Sequence, residues 1–163
     1  MAESLDEIDT RLLRELELDA DRSNVELARI VGLSPAATLN RVRRLKESGV
    51  IAGIQARVDP QRAGFPLQVF VTAALSQHDQ AAHRRFETTV KKLANVIQAD
   101  WVTGETDVLL HVVARDVDEL QRVLWALSGR GGAQRVVTLL RLEPLKPRSP
   151  LPVTGPAIIA PAG

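Results

Sequence analysis

The sequence predicts an α+β protein built as two small units, an N-terminal winged helix-turn-helix followed by a ferredoxin-like βαββαβ domain. Three observations predict it. Residues 5 to 47 hold three short amphipathic stretches, the last two joined by a tight Gly-containing turn. Residues 67 to 142 alternate apolar, β-branched runs with helical stripes in the order β-α-β-β-α-β. Between them, Asp59-Pro60-Gln61-Arg62-Ala63-Gly64 breaks both patterns. The chain's 163 residues suit two small domains better than one large one. The expected boundaries are 1–58 for the reader, 59–66 for a linker, 67–146 for the second domain and 147–163 for a Pro-rich tail.

In the first helix Leu5, Ile8, Leu12 and Leu16 recur at helical spacing, with Asp6, Arg11, Arg14 and Glu15 expected in water. Ser23-Asn24-Val25-Glu26 opens the second as a capping box, in which Ser23 and Glu26 each satisfy a backbone N–H that has no helical partner. Gly32 is placed to end that helix in the left-handed region. Ser34-Pro35 starts the third, Ser34 as cap and Pro35 where its missing N–H costs nothing. At 100° per residue, Pro35, Thr38, Leu39, Val42 and Leu45 share one side. Ala36, Ala37, Asn40 and Arg44 point away, with Arg41 and Arg43 on the flanks. Small residues near the start permit close approach to a groove, and an amide and guanidinium groups can then read base edges or hold phosphates. On this reading Ser34, Ala36, Ala37, Asn40, Arg41 and Arg44 lie at or near the major groove of double-stranded DNA. Arg43, Lys46 and Arg57 contact phosphates. A wing of two short strands is expected at Val50-Ile51 and Ile54 to Val58, around Gly53.

The second domain is read as a strand at Leu67 to Leu75, a helix at Gln80 to Leu93, strands at Val96 to Thr103 and Asp107 to Ala114, a helix from Val117 to Leu127 and a strand at Val136 to Leu142. Gly129-Arg130-Gly131-Gly132 stops the last helix and lacks the Lys of a phosphate loop. Neither side of the central strands is strongly polar, so two helices on one sheet face leave the other face apolar. A second copy of the chain is the simplest cover, and a homodimer is expected. Six of the nine Pro residues fall between Pro144 and Pro161, which reads as a mobile tail.

Composition narrows the chemistry. With 45% hydrophobic and 25% charged residues the chain is globular, and five aromatic residues are too few for a stacking platform on single-stranded nucleic acid. The absence of Cys excludes a disulfide scaffold, a thiolate zinc site and a cysteine nucleophile. The acidic start and the lack of a bilayer-length apolar run point to a cytoplasmic protein without a membrane partner. Net charge is only +1, but it is segregated. Residues 1 to 28 carry nine acidic residues against three Arg, whereas residues 29 to 62 carry seven basic against two acidic. The basic stripe centres on the third helix.

These residues resemble the Lrp/AsnC, or feast/famine, transcriptional regulators from about Leu5 to Lys146. The resemblance is carried by Leu5-Asp6-Glu7-Ile8-Asp9, by Ser23 to Ala28 and Val31 to Pro35, by Arg41-Val42-Arg43-Arg44-Leu45 leading to Gly49-Val50-Ile51, and by Val102-Thr103-Gly104-Glu105-Thr106-Asp107-Val108-Leu109-Leu110. It implies dimers, often tetramers of dimers (octamers), and a small effector, commonly an amino acid, at a subunit interface. No cofactor is implied. The Gly-x-x-Asp turn carries over to Gly104, Glu105, Thr106 and Asp107. A zwitterion needs N–H groups for its carboxylate and oxygens for its ammonium, which Asp107 could supply; Gly104 and Asp107 could equally just shape a hairpin. Trp101 could wall the pocket or fill an interface core. Where the family often shows Thr-x-Thr, this chain has Val136-Val137-Thr138, leaving Thr138 as the one hydroxyl candidate. Some siroheme decarboxylases resemble the same two-domain plan, which makes an enzyme the alternative. Its basic or His contacts would have to come from residues such as His78, His83 and His111, which show no metal-ligand spacing. The expectation is therefore a regulator with no catalytic and no metal-binding residues.

Overall fold

A computed structural model describes residues 5–75 and 80–153. The expectations for the first four residues, His78 and residues 154–163 fall outside them. The chain divides into two compact units, one holding the N-terminal residues to Ala56 together with the segment from Lys146, the other Arg57–Leu145.

The first unit is three helices, α1 (Glu7–Leu18), α2 (Asn24–Val31) and α3 (Pro35–Glu47). Each start is fixed by a side chain. Asp6 caps α1 in a reciprocal box with Asp9, Ser23 does the same for α2 with Glu26, and Ser34 caps α3 with Pro35 behind it. Gly32 ends α2 at φ 74°, a left-handed conformation in which a Cβ is strained. Leu5, Leu12, Leu13, Leu27, Val31, Val42 and Leu45 form the core, with Val50 and Ile51 packed against it.

One expectation about this unit differs from the structure. Residues 50–58 form no strands, and Ile54 and Val58 are exposed, so the helix-turn-helix carries no β-wing here. Runs of two to five residues around Gly53 are too short to hold a hairpin without a further strand beside them. Residues 147–153, the described part of the expected Pro-rich tail, touch the helices at two points. Val153 packs against the helical core, and the Leu151 N–H donates to Glu17 Oε2 at 3.0 Å.

The second unit follows the predicted order: β1 (Leu67–Leu75), α4 (Gln80–Lys91), β2 (Val96–Trp101), β3 (Val108–Ala114), α5 (Val117–Ser128) and β4 (Ala133–Leu140). The sheet is antiparallel with strand order β2-β3-β1-β4. Val69, Val71, Ala73 and Leu75 of β1 alternate into the core with Val108, Leu110 and Val112 of β3, beneath Phe86 of α4 and Val123 and Leu127 of α5. Gly131 is required by close packing, because a Cβ there would lie 2.4 Å from the Leu127 carbonyl oxygen and 3.0 Å from Phe86. The register sends Phe70, Leu109, His111, Val137 and Leu139 to the opposite face, where the four aliphatic and Phe side chains are exposed. An apolar outer face is therefore a feature of the unit.

Candidate functional site

α3 is held from both sides. Asn24 Nδ2 donates to the Pro35 carbonyl at 3.1 Å, tying the start of α2 to the first turn of α3. Thr38 is fully buried, and its hydroxyl donates to the Ser34 carbonyl at 3.1 Å. With Thr38, Val42 and Leu45 inward, the opposite face presents Pro35, Ala36, Leu39, Asn40, Arg43, Lys46 and Glu47. Ser34 is exposed at the start of the helix, and Ala37 is half-buried on its flank.

This rotates the helix relative to expectation. Pro35 and Leu39, expected inward, are exposed, Leu39 by 48%. Arg41 and Arg44, expected at the groove, are turned toward α1. Arg41 Nη1 donates to Asp6 Oδ2 at 2.6 Å and to Asp9 Oδ1 at 2.9 Å, and Arg44 Nη2 donates to Asp9 Oδ2. The physical reason is Asp9, whose side chain is completely buried and would be an unpaired charge without them. Asp6, expected in water, caps α1 and faces Arg41. Partial burial works to raise its carboxyl, but the Asp9 N–H and the Arg41 guanidinium outweigh it and hold the group below its ordinary value. Hydrogen bonding to Asp6 raises Arg41 further still. Arg43, expected on a flank, occupies the centre of the exposed face instead. Arg57 is exposed and belongs to the second unit.

In the second unit the β2–β3 turn is pinned to the end of β1. Thr106 Oγ1 and the Asp107 N–H both donate to the Ala73 carbonyl, at 2.8 and 3.0 Å, and Asp107 Oδ2 accepts the Leu75 N–H at 2.7 Å. The Val102 N–H donates to the Asp107 carbonyl at 2.9 Å, and Gly104 turns the chain at φ 128°. Glu105 is exposed at the tip. Trp101, 50% exposed, lies against His83 of α4 with ring centroids 4.8 Å apart. It walls a groove of about 300 Å³ between α4 and β2, floored by Phe86, Val90 and Val108 with Lys91 and Asp100 at its sides. Gly104, Glu105, Thr106 and Asp107 share this turn, whereas the ring contacts of Trp101 are with His83 and Phe86 of α4. Thr138 is not among them: it is exposed on β4, paired with Val71 and separated from β3 by β1.

On the outer face His111 stacks on Phe70 at 4.9 Å, and its buried Nε2 has no hydrogen-bond partner. Burial first, then Arg141, pushes its pKa down, so it is neutral near pH 7. Among the described residues no three His, Asp or Glu side chains converge as metal ligands.

Family models match both units in the same order. Residues 5–46 match the AsnC-type helix-turn-helix domain and residues 68–151 the Lrp/AsnC ligand binding domain. The chain belongs to the Lrp/AsnC family of DNA-binding transcriptional regulators. It is 35% identical over 151 residues to the HTH-type transcriptional regulator AldR of Mycolicibacterium smegmatis, covering 92% of this chain and 88% of that one. It is 38% identical over 120 residues to the leucine-responsive regulatory protein of Escherichia coli, covering 74% and 73%. A Neisseria meningitidis transcriptional regulator solved as an L-Met complex superposes with a TM-score of 0.84 at 30% identity, covering 91% of this chain and 96% of that one. No helix among the described residues is long and apolar enough to cross a membrane.

Proposed function

We infer that this Lrp/AsnC regulator reads a specific duplex sequence with the exposed face of α3 and changes its assembly on binding an amino acid. The observation that carries the reading is that face. Ala36 offers little steric bulk near the start, Asn40 can bond an adenine edge and Arg43 a guanine edge, and Lys46 suits a phosphate. Ser34 and Ala37 flank the approach, and Arg57 is a further phosphate candidate. Base reading thus passes from Arg41 and Arg44 to Arg43 and Asn40, because the first two are engaged with α1.

The effector site is assigned to the turn that joins Trp101 to Asp107. Two resemblances support an amino acid: one relative is named for leucine responsiveness and one structural neighbour holds L-Met. Since Asp107 Oδ2 already accepts the Leu75 N–H, Glu105 is the exposed carboxylate at the turn for an ammonium group. Thr138 lies two strands away from β3 and could join from another subunit. The apolar outer sheet face suits a second copy of this chain, and a dimer places two α3 helices on two half-sites. A DNA-binding regulator with no cysteine is read as cytoplasmic. The decarboxylase alternative gains nothing from the histidines, since His83 packs on Trp101 on the helix side of the sheet and His111 lies on the other side. The test is a thermal-shift screen of the twenty amino acids beside light scattering and duplex binding. A ligand that raises the melting point and alters both assembly and duplex affinity supports the reading. No response to any amino acid would overturn the effector assignment.

A further inference from the structure

We propose that Asp6 and Asp9 are specificity-determining residues acting as built-in phosphate mimics: they hold Arg41 and Arg44 against α1 and keep both cations out of the sequence-independent attraction to the DNA backbone. This rests on α3 being the duplex-reading helix.

α3 carries four cations within residues 41 to 46. On a helix that enters a groove, each cation that neutralises a phosphate adds affinity for every sequence alike and steepens the salt dependence. Two of the four are committed elsewhere. Arg41 Nη1 sits 2.6 Å from Asp6 Oδ2 and 2.9 Å from Asp9 Oδ1, and Arg44 Nη2 bonds Asp9 Oδ2. A carboxylate offers a guanidinium the same pair of anionic oxygens that a phosphate offers, so the acids and the DNA backbone compete for one type of partner.

The two acids are held ready for that competition. Asp6 Oδ1 accepts the Asp9 N–H at 2.8 Å and Asp9 Oδ2 accepts the Asp6 N–H at 3.3 Å, so both carboxylates are fixed at the start of α1. Asp9 is fully buried, and removing its guanidinium partners would strand a charge away from water. Asp6 is half exposed and makes the shorter of the two Arg41 contacts. The arginines nonetheless keep 28% and 40% of their side chains exposed, so they stand at the border of the reading face and would add to its charge if released. Non-specific binding is dominated by the phosphate attraction, whereas specific binding also uses base contacts from Asn40 and Arg43. Withholding two cations therefore weakens the first more than the second and raises the ratio between them.

The experiment compares Asp6→Asn with Glu7→Gln in the full-length protein. Asn caps a helix about as well as Asp, so the first variant keeps the α1 start while removing a negative partner of Arg41. Glu7 is exposed on the same turn and controls for a generic loss of one negative charge. Affinity for a scrambled duplex is measured from about 50 to 200 mM salt, beside affinity for a duplex selected from a randomised pool. Asp6→Asn is expected to tighten scrambled binding severalfold more than Glu7→Gln, to steepen the slope of log affinity against log salt by up to about 0.9 per subunit, and to lower the selected-to-scrambled ratio. Asp9→Asn should act in the same direction if it folds; if it unfolds, Asp6→Asn decides alone. Equal slopes for Asp6→Asn and Glu7→Gln, or weaker scrambled binding by Asp6→Asn, overturn the proposal. A wild-type chain that binds no duplex removes the α3 reading and the proposal with it, whereas duplex binding with an unmoved slope removes only the proposal.

Discussion

Replacing Arg43 and Arg44 by Ala, one at a time, separates reading from holding. Arg43 is exposed at the centre of the outer face of α3, so Arg43→Ala should leave the melting point nearly unchanged, within the ~0.5 kcal/mol typical of exposed positions. If it contacts a base edge bidentately, the selected duplex loses ~1–3 kcal/mol, or roughly 5- to 150-fold in affinity. Arg44→Ala removes one of the two guanidinium groups on the buried Asp9 carboxylate. Breaking a buried pair outright costs about 3–5 kcal/mol, but Arg41 stays 2.9 Å from Asp9 and Arg44 itself is 40% exposed, so about 1–3 kcal/mol is expected. In a unit this small that lowers the melting point by roughly 4–8 °C per kcal/mol. Far-UV circular dichroism gives the melting point, and fluorescence anisotropy of a labelled duplex gives the affinity. Loss of sequence preference in Arg44→Ala at an unchanged melting point, with Arg43→Ala binding normally, would refute the rotated placement of α3.

Three further outcomes follow from the second unit. Glu119 accepts from the Arg115 side chain and backbone N–H, which hold its carboxyl down to about 2 from an ordinary 4.5. Its stabilising contribution is thus complete above 4.5 and is lost as pH falls toward about 2. Glu119→Gln should melt lower than wild type at pH 7, with the difference shrinking through that window; a difference independent of pH would contradict the pairing. Gly131→Ala forces a Cβ against the Leu127 carbonyl oxygen and Phe86 and should destabilise by about 1–3 kcal/mol in chemical denaturation, while an unchanged midpoint would contradict the close packing at this position. Leu139→Asp places a charge in the apolar outer face and should shift sedimentation toward monomer, whereas an unaltered oligomer would place the interface elsewhere.

What was legible in the sequence was local. Ser23 with Glu26, Ser34 with Pro35, and Gly32 announce helix ends through bonds that span three or four residues, and the structure has all of them. The alternation in β1 and β3 likewise gives core and outer faces directly. The pairing of Arg41 and Arg44 with Asp9 joins positions more than thirty residues apart and leaves no periodic trace. A signal was nevertheless present: Asp9 falls on the stripe of Leu5, Leu12 and Leu13, and an acid on an apolar stripe calls for a cation. Asp6 three residues before Asp9 also has the spacing of a reciprocal cap. Charge counting over residues 29–62 could not separate cations facing water from cations facing α1. The wing failed for a different reason, since a hairpin needs neighbours that a short run cannot name. In the ligand-binding unit the Gly104 to Asp107 turn was found from its residues, but its bonds to Ala73 and Leu75 depend on strand order.

The central claim is that the exposed face of α3 lies in the DNA groove, and the chain's lack of cysteine permits a direct measurement. Ala36→Cys and Glu105→Cys, each carrying a tethered iron chelate that cleaves nearby DNA, are bound to a selected duplex. Cleavage from position 36 confined to the half-sites is the predicted result. Cleavage from position 105 with an intact duplex around position 36 would contradict the account.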